Sequence, residues 1–352
     1  MIDKSFKSSF KNNHIINSLL LNSNLIPQLG LAHGKMGIAI SFYHVADVTE
    51  IPVFKAFADE LIDDIWEQIN FNVGFDFENG LAGIGSGVAY IIEKGYVDAS
   101  ADDVLSEIDN KLKQALMHNK TQGIGLLNGL MGYVVYFHLR IKYATEETSI
   151  MKKNSGVLHN LLWLIDTRIK KQKNQHRPLH LQELIDKTIT LVVLAEIKLE
   201  GIFDGLTSNI AFEILILIHQ TKKLQKNQLE CLLIALCFKI SQNCFSTNYK
   251  LIFKKEYNYI LNLIYTTDRI KLQNELNENR GFPILILGLI WAYQRLYQET
   301  HKLFFLREIV YWRSYALTVL NDNYAYSFLK SKSQFYSFGC LKGVAAMNFL
   351  LK

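Results

Sequence analysis

What the sequence has little of sets the first bounds. Only four prolines occur in 352 residues, far below the roughly 5% of average usage, so few breaks interrupt long helices. The four cysteines, Cys231, Cys237, Cys244 and Cys340, include no CxxC pair; they are too few and too unevenly placed for a disulfide scaffold. A reducing, cytoplasmic setting is expected. No run reaches the ~18 uninterrupted apolar residues that a membrane span requires. The opening stretch MIDKSFKSSFKNNHIINSLLL lacks the continuous apolar core and small-residue cleavage site of a secretory signal. Charge of one sign is also scarce. The net charge is +5, and the lysines are scattered among acidic residues, so no basic stripe offers a footing for nucleic acid.

What is present points to an all-α protein. Hydrophobic residues make up 49% of the chain and aromatics 12%, enough for a substantial core of bulky side chains. One short pattern recurs along it. GLAHGKMGIAI starts at Gly30, GFDFENGLAGIGSGVAYII at Gly74 and GIGLLNGLMGYVVYF at Gly123. EGIFDGLTSNIAFEILIL follows from Glu200, and two eroded copies, NRGFPILILGLIWAY and SFGCLKGVAAMNFLL, begin at Asn279 and Ser337. The shared core is a GxxG step leading into about a dozen apolar residues. It is intact as Gly34 and Gly37, Gly80 and Gly83, and Gly129 and Gly132. Later copies keep one glycine each: Gly205 with Ser208, Gly288 with Leu285, and Gly343 with Cys340. Thirteen of the twenty glycines lie at or before Gly132, so the N-terminal part carries the better-kept pattern.

Repetition at this spacing implies stacked helical hairpins. SADDVLSEIDNKLKQALM begins with Ser100 as an N-cap and sets Val104, Ile108, Leu112 and Leu116 along one face. VFKAFADELIDDIWEQI likewise presents Phe54, Phe57, Leu61, Ile65 and Ile69 as a stripe. Those helices have a wet side. Segments after each GxxG are apolar nearly all round, as a helix covered on both sides should be. Each unit thus supplies one outer and one inner helix. If the stack closes, the result is an α/α toroid of about six to seven hairpins, a single domain over 1–352 with residues 1–29 as an N-terminal extension and first outer helix.

In such a ring the inner helices gather their N-termini around one mouth. Glycine there suits crowding and also tolerates positive φ, and the clustered N–H groups would favour carboxylates or other anions. Residues at or beside the motif positions are the candidate site: His33, Lys35, Glu78, Asn79, Asn128, Asp204 and Lys342. They mix donors, acceptors and both charge signs, which suits an extended peptide. Two other readings stay open: a glycan-active α/α barrel using Asp76, Glu78 and Asp204 as paired carboxylates, and a helical scaffold that binds a protein along its outer wall. Cys231, Cys237 and Cys244 lie on or just after one apolar segment and read as packing residues.

The repeated GLxxGxxGI pattern, above all in GLAHGKMGIAI and FENGLAGIGSGVAYII, resembles the lanthionine synthetase C-like (LanC-like) family. The likeness is good through about Tyr136 and loose beyond. It implies an α/α toroid and, in the peptide cyclases of the family, a zinc ion that activates a peptide cysteine thiol for addition to a dehydrated serine or threonine. It also implies a precursor peptide or a modification enzyme as partner. The family's zinc ligands, two cysteines and a histidine, stand in WCYG-like and CHG-like motifs ahead of late-repeat glycines. Here Phe203 and Asp204 precede Gly205, Pro283 and Ile284 precede Leu285, and no CHG string occurs. No zinc ligand carries over residue by residue, so no metal or other cofactor is predicted and a non-catalytic, peptide-binding or accessory member is expected. Substitute donors would have to be His33, Cys340 and Asp204, although a lone histidine at a helix entrance is more often a hydrogen-bonding group.

Overall fold

The computed structural model describes residues 14–69, 73–118, 123–144, 149–173, 179–199, 201–220, 228–244, 254–277 and 282–319. Among them are fourteen α-helices and a 3₁₀ turn at Ser23–Leu25. The helices are α1 (His14–Asn22), α2 (Lys35–Thr49), α3 (Pro52–Gln68), α4 (Leu81–Glu93), α5 (Ala101–His118), α6 (Leu130–Lys142) and α7 (Ser149–Lys173). They continue with α8 (Leu181–Leu199), α9 (Asp204–Gln220), α10 (Gln228–Cys244), α11 (Lys254–Tyr265), α12 (Arg269–Asn277), α13 (Phe282–Thr300) and α14 (Leu303–Val319). The all-α class expected from low proline and 3.6-residue periodicity is borne out.

The chain forms two compact units. The described residues within 1–121, 139–151 and 314–352 make up the first, and those within 122–138 and 152–313 the second. In the first, the division into inner and outer helices is plain. Eleven of the 15 residues of α2 and ten of the 13 of α4 are buried, whereas α3 and α5 bury only five each. Each outer helix packs against the inner helix that precedes it. On α3 the buried set is Phe54, Ala58, Leu61, Ile62 and Ile65, close to the stripe read from the sequence. On α5 it is Leu105, Ile108, Leu112 and Ala115 with Asp109; Val104 and Leu116 lie at its edge. The expected four-residue spacing drifts around a helix of 3.6 residues per turn, so the true stripe alternates steps of three and four. Ser100 caps α5 as expected, its Oγ accepting the Asp103 N–H at 3.4 Å.

Asp109 is buried because Arg140, on the last turn of α6, reaches it. The guanidinium Nε and Nη2 donate to the two carboxylate oxygens at 3.2 Å, and Nη2 also donates to Asp102 at 2.8 Å. In the second unit α10 packs against α8, α9, α11 and α13. Cys231 and Cys237 are buried along it, as their reading as packing residues requires, and the Cys237 thiol meets the Thr188 hydroxyl at 3.2 Å. Among the described residues, no helix is long and apolar enough to cross a membrane.

Candidate functional site

The three intact motifs share one local construction. The first N–H of each helix bonds to a carbonyl seven residues back: Lys35 to Gln28 at 3.0 Å, Leu81 to Gly74 at 2.8 Å, and Leu130 to Gly123 at 3.1 Å. The next N–H repeats the step in two of them, Met36 to Leu29 and Met131 to Ile124, both at 3.1 Å. A loop that curls back this tightly has no room for a side chain at its end. A Cβ on Gly34 would lie 2.5 Å from the Gln28 carbonyl oxygen, one on Gly80 2.5 Å from that of Gly74, and one on Gly129 2.5 Å from that of Gly125.

Two expectations are corrected by this geometry. Gly34 and Gly80 are the N-caps of α2 and α4 with φ of −127° and −101°, so close approach and not positive φ requires glycine. The glycines with positive φ among the described residues are Gly95 and Gly201. Further, the leading N–H groups of α2, α4 and α6 already bond to loop carbonyls. Each loop satisfies the helix end that an anion would otherwise cap.

In the fourth and fifth copies the crowding is gone at the glycine that remains: a Cβ on Gly205 or Gly288 meets nothing within 4 Å, so close approach does not require glycine at either position.

Within the first unit the first two motif loops grip each other. The Ala32 N–H donates to the Glu78 carbonyl at 2.8 Å. Gly30 abuts the backbone of Asn79, and Gly83 abuts the Phe77 carbonyl with Leu31 beside it. Lower down, Gly87 leaves space for Met36, whose sulfur would be 2.6 Å from an added Cβ, so the inner helices also touch. The side chains tighten the same seam. His33 Nε2 and Glu78 Oε1 are 2.7 Å apart, with side chains only 7% and 16% exposed. Asp76 Oδ1 accepts the Asn79 N–H at 2.8 Å, so one of the acids considered for glycan chemistry holds its own loop.

The remaining candidates are placed as follows. Lys35, 2% exposed, pairs with Asp64 of α3, and its charge is neutralised inside the hairpin. Asn128, in the third loop, and Asp204, the first residue of α9, both belong to the second unit and are exposed. Lys342, Gly343 and Cys340 lie outside the described residues. Among those described, no group of three His, Cys, Asp or Glu side chains is placed to hold a metal, so the donors that the zinc chemistry needs are not assembled by them.

Some participants carried no sequence signal. Asp64 lies 29 positions from Lys35, and no local pattern links them. Asp186 of α8 approaches the third loop, its Oδ2 2.8 Å from where a Gly125 Cβ would sit, and it accepts a backbone hydrogen bond from Leu126. Burial pushes its carboxyl above the ordinary carboxylate value, against the opposing pull of the Gln182 hydrogen bond, Lys187 and the Leu126 N–H.

Glycine-sealed loops at the heads of buried helices define a class of all-α helical-hairpin protein. Residues 24–187 match the family model described as lanthionine synthetase C-like protein. The resemblance read from the GLxxGxxGI motifs is thereby borne out, and the matched segment holds all three intact loops. No curated protein matches the chain.

Proposed function

We propose that this protein serves peptide modification as a LanC-like peptide-binding or accessory component, with the joined first and second motif loops as part of the peptide seat. The observation that carries the reading is the seam itself. Two loops inside the family-matched segment are locked backbone to backbone, with His33, Glu78 and Asn79 at the join. A fixed array of polar groups next to rigid helices suits the alternating donors and acceptors of an extended peptide. Zinc-dependent cyclisation is left out of the proposal, because the CHG-type ligands are missing from the sequence and the described donors do not converge.

The test uses a fluorescent peptide carrying a cysteine and a dehydroalanine, added to the full chain. Saturable binding without loss of the free thiol is expected, together with substoichiometric zinc by elemental analysis. Glu78→Gln and Asn79→Ala should each weaken binding by about tenfold, or about 1.4 kcal/mol. Thioether formation with stoichiometric zinc would overturn the accessory role; absence of peptide binding would overturn the seat.

A further inference from the structure

The second unit carries a cavity that the motif loops do not explain. It has a volume of about 520 Å³ and lies among α11, α12, α13 and α14, with the rings of Tyr265, Tyr293, Phe304, Tyr311 and Trp312 in its lining. That size suits a small organic ligand. Its polar centre is a fixed guanidinium. Arg269, the first residue of α12, donates from Nε to Glu308 Oε1 at 3.1 Å and to Oε2 at 3.3 Å, and from Nη2 to Oε1. Glu308 is 4% exposed and also accepts Trp312 Nε1 at 3.2 Å. Beneath the guanidinium lies the Tyr311 ring, 4.3 Å from Cζ to the ring centre.

A guanidinium has two edges that match a carboxylate bidentately. Glu308 takes the Nε/Nη2 edge. The Nη1/Nη2 edge has no partner among the described residues, and the Arg269 side chain is 45% exposed, so that edge is accessible. A buried carboxylate whose hydrogen bonds all hold a half-exposed arginine and an indole acts as a support for a presented cation. The nearby hydroxyls add donors of the same kind. Tyr311 accepts from Gln273 Nε2 at 2.7 Å and Tyr265 from Lys302 Nζ at 3.2 Å, which leaves each phenolic proton to be given. Of the two carboxylates in the lining, Glu308 is offset by its pairing with Arg269, and Asp268 is exposed with its Oδ1 accepting the Ile270 N–H at 2.8 Å, so solvent and the N-terminal end of α12 both screen it.

We propose that this cavity binds a carboxylate carried on an aromatic or apolar body, with the carboxylate on the Nη1/Nη2 edge of Arg269 and the body among the rings. A peptide C-terminus ending in such a residue and a free aryl acid share this chemistry. The inference does not rest on the peptide seat, since its residues lie in the other unit and beyond the family-matched segment.

The experiment titrates the full chain with N-acetylphenylalanine, its amide and phenethylammonium, following the protein by NMR or calorimetry. The acid should bind saturably, the amide about tenfold more weakly, and the cation not at all. Arg269→Gln, checked for an unchanged melting temperature, should erase the preference for acid over amide. If that variant misfolds, the comparison of acid with amide on the unaltered chain still decides. Equal binding of acid and amide, tighter binding of the cation, or no saturable binding at millimolar concentration would each overturn the proposal. A short peptide ending in a free phenylalanine carboxylate, set against 3-phenylpropanoate, then identifies the source: the tighter of the two names it.

Discussion

At the scale of single residues, the motif glycines divide into two groups that a substitution separates. Gly34→Ala or Gly80→Ala forces a methyl group onto backbone 2.5 Å away and should destabilise by about 1–3 kcal/mol or more. Gly205→Ala has open space within the helix α9 and should stabilise by about 0.5–1 kcal/mol. Denaturant melts of the three variants check both signs. Asp186 gives a pH signature. Its folded value is raised by burial, so the site contributes to stability fully below the unfolded carboxylate value of about 3.9, and that contribution is lost as pH rises through the folded value. Asp186→Asn, which keeps an acceptor for Leu126, should therefore raise the melting temperature at neutral pH and flatten its fall above the acidic range. The Cys237 thiol, pushed up to about 12 by burial, should resist alkylation at pH 8 until the protein unfolds, as peptide mapping would record.

At the scale of helices, the junction of α5 and α6 depends on the buried Arg140. Arg140→Gln strands Asp109, whose side chain is 2% exposed, and should cost about 3–5 kcal/mol. Pairing Arg140→Met with Asp109→Leu should recover most of that loss, because no charge is then left buried. Helices and their faces were legible in the sequence, since periodicity reports burial directly: the stripe on α3 came out nearly as read, and that on α5 shifted by about a residue. The motif loops were legible as loops but not in their reason, because a glycine needed for close approach and one needed for positive φ look alike on paper. His33 was found because it stands beside a motif glycine; its partner Glu78 was found for the same reason, and the bond between them was not. Lys35 with Asp64, and Arg269 with Glu308, depend on residues brought together only by helix packing, and no local pattern encodes that.

At the scale of the whole molecule, the likeness to the LanC-like family model covers residues 24–187, the stretch with three sealed loops, while Gly205 and Gly288 in the fourth and fifth copies stand in open space. That gradient matches a protein whose first half holds the inherited architecture and whose second half offers a separate cavity. The peptide seat at the first two loops is the central claim, and equilibrium binding of the cysteine- and dehydroalanine-bearing peptide to the full chain tests it most directly. The account predicts saturable binding that falls about tenfold in both Glu78→Gln and Asn79→Ala, each with an intact melt. Binding that is absent, or that is unchanged in both variants, would contradict it.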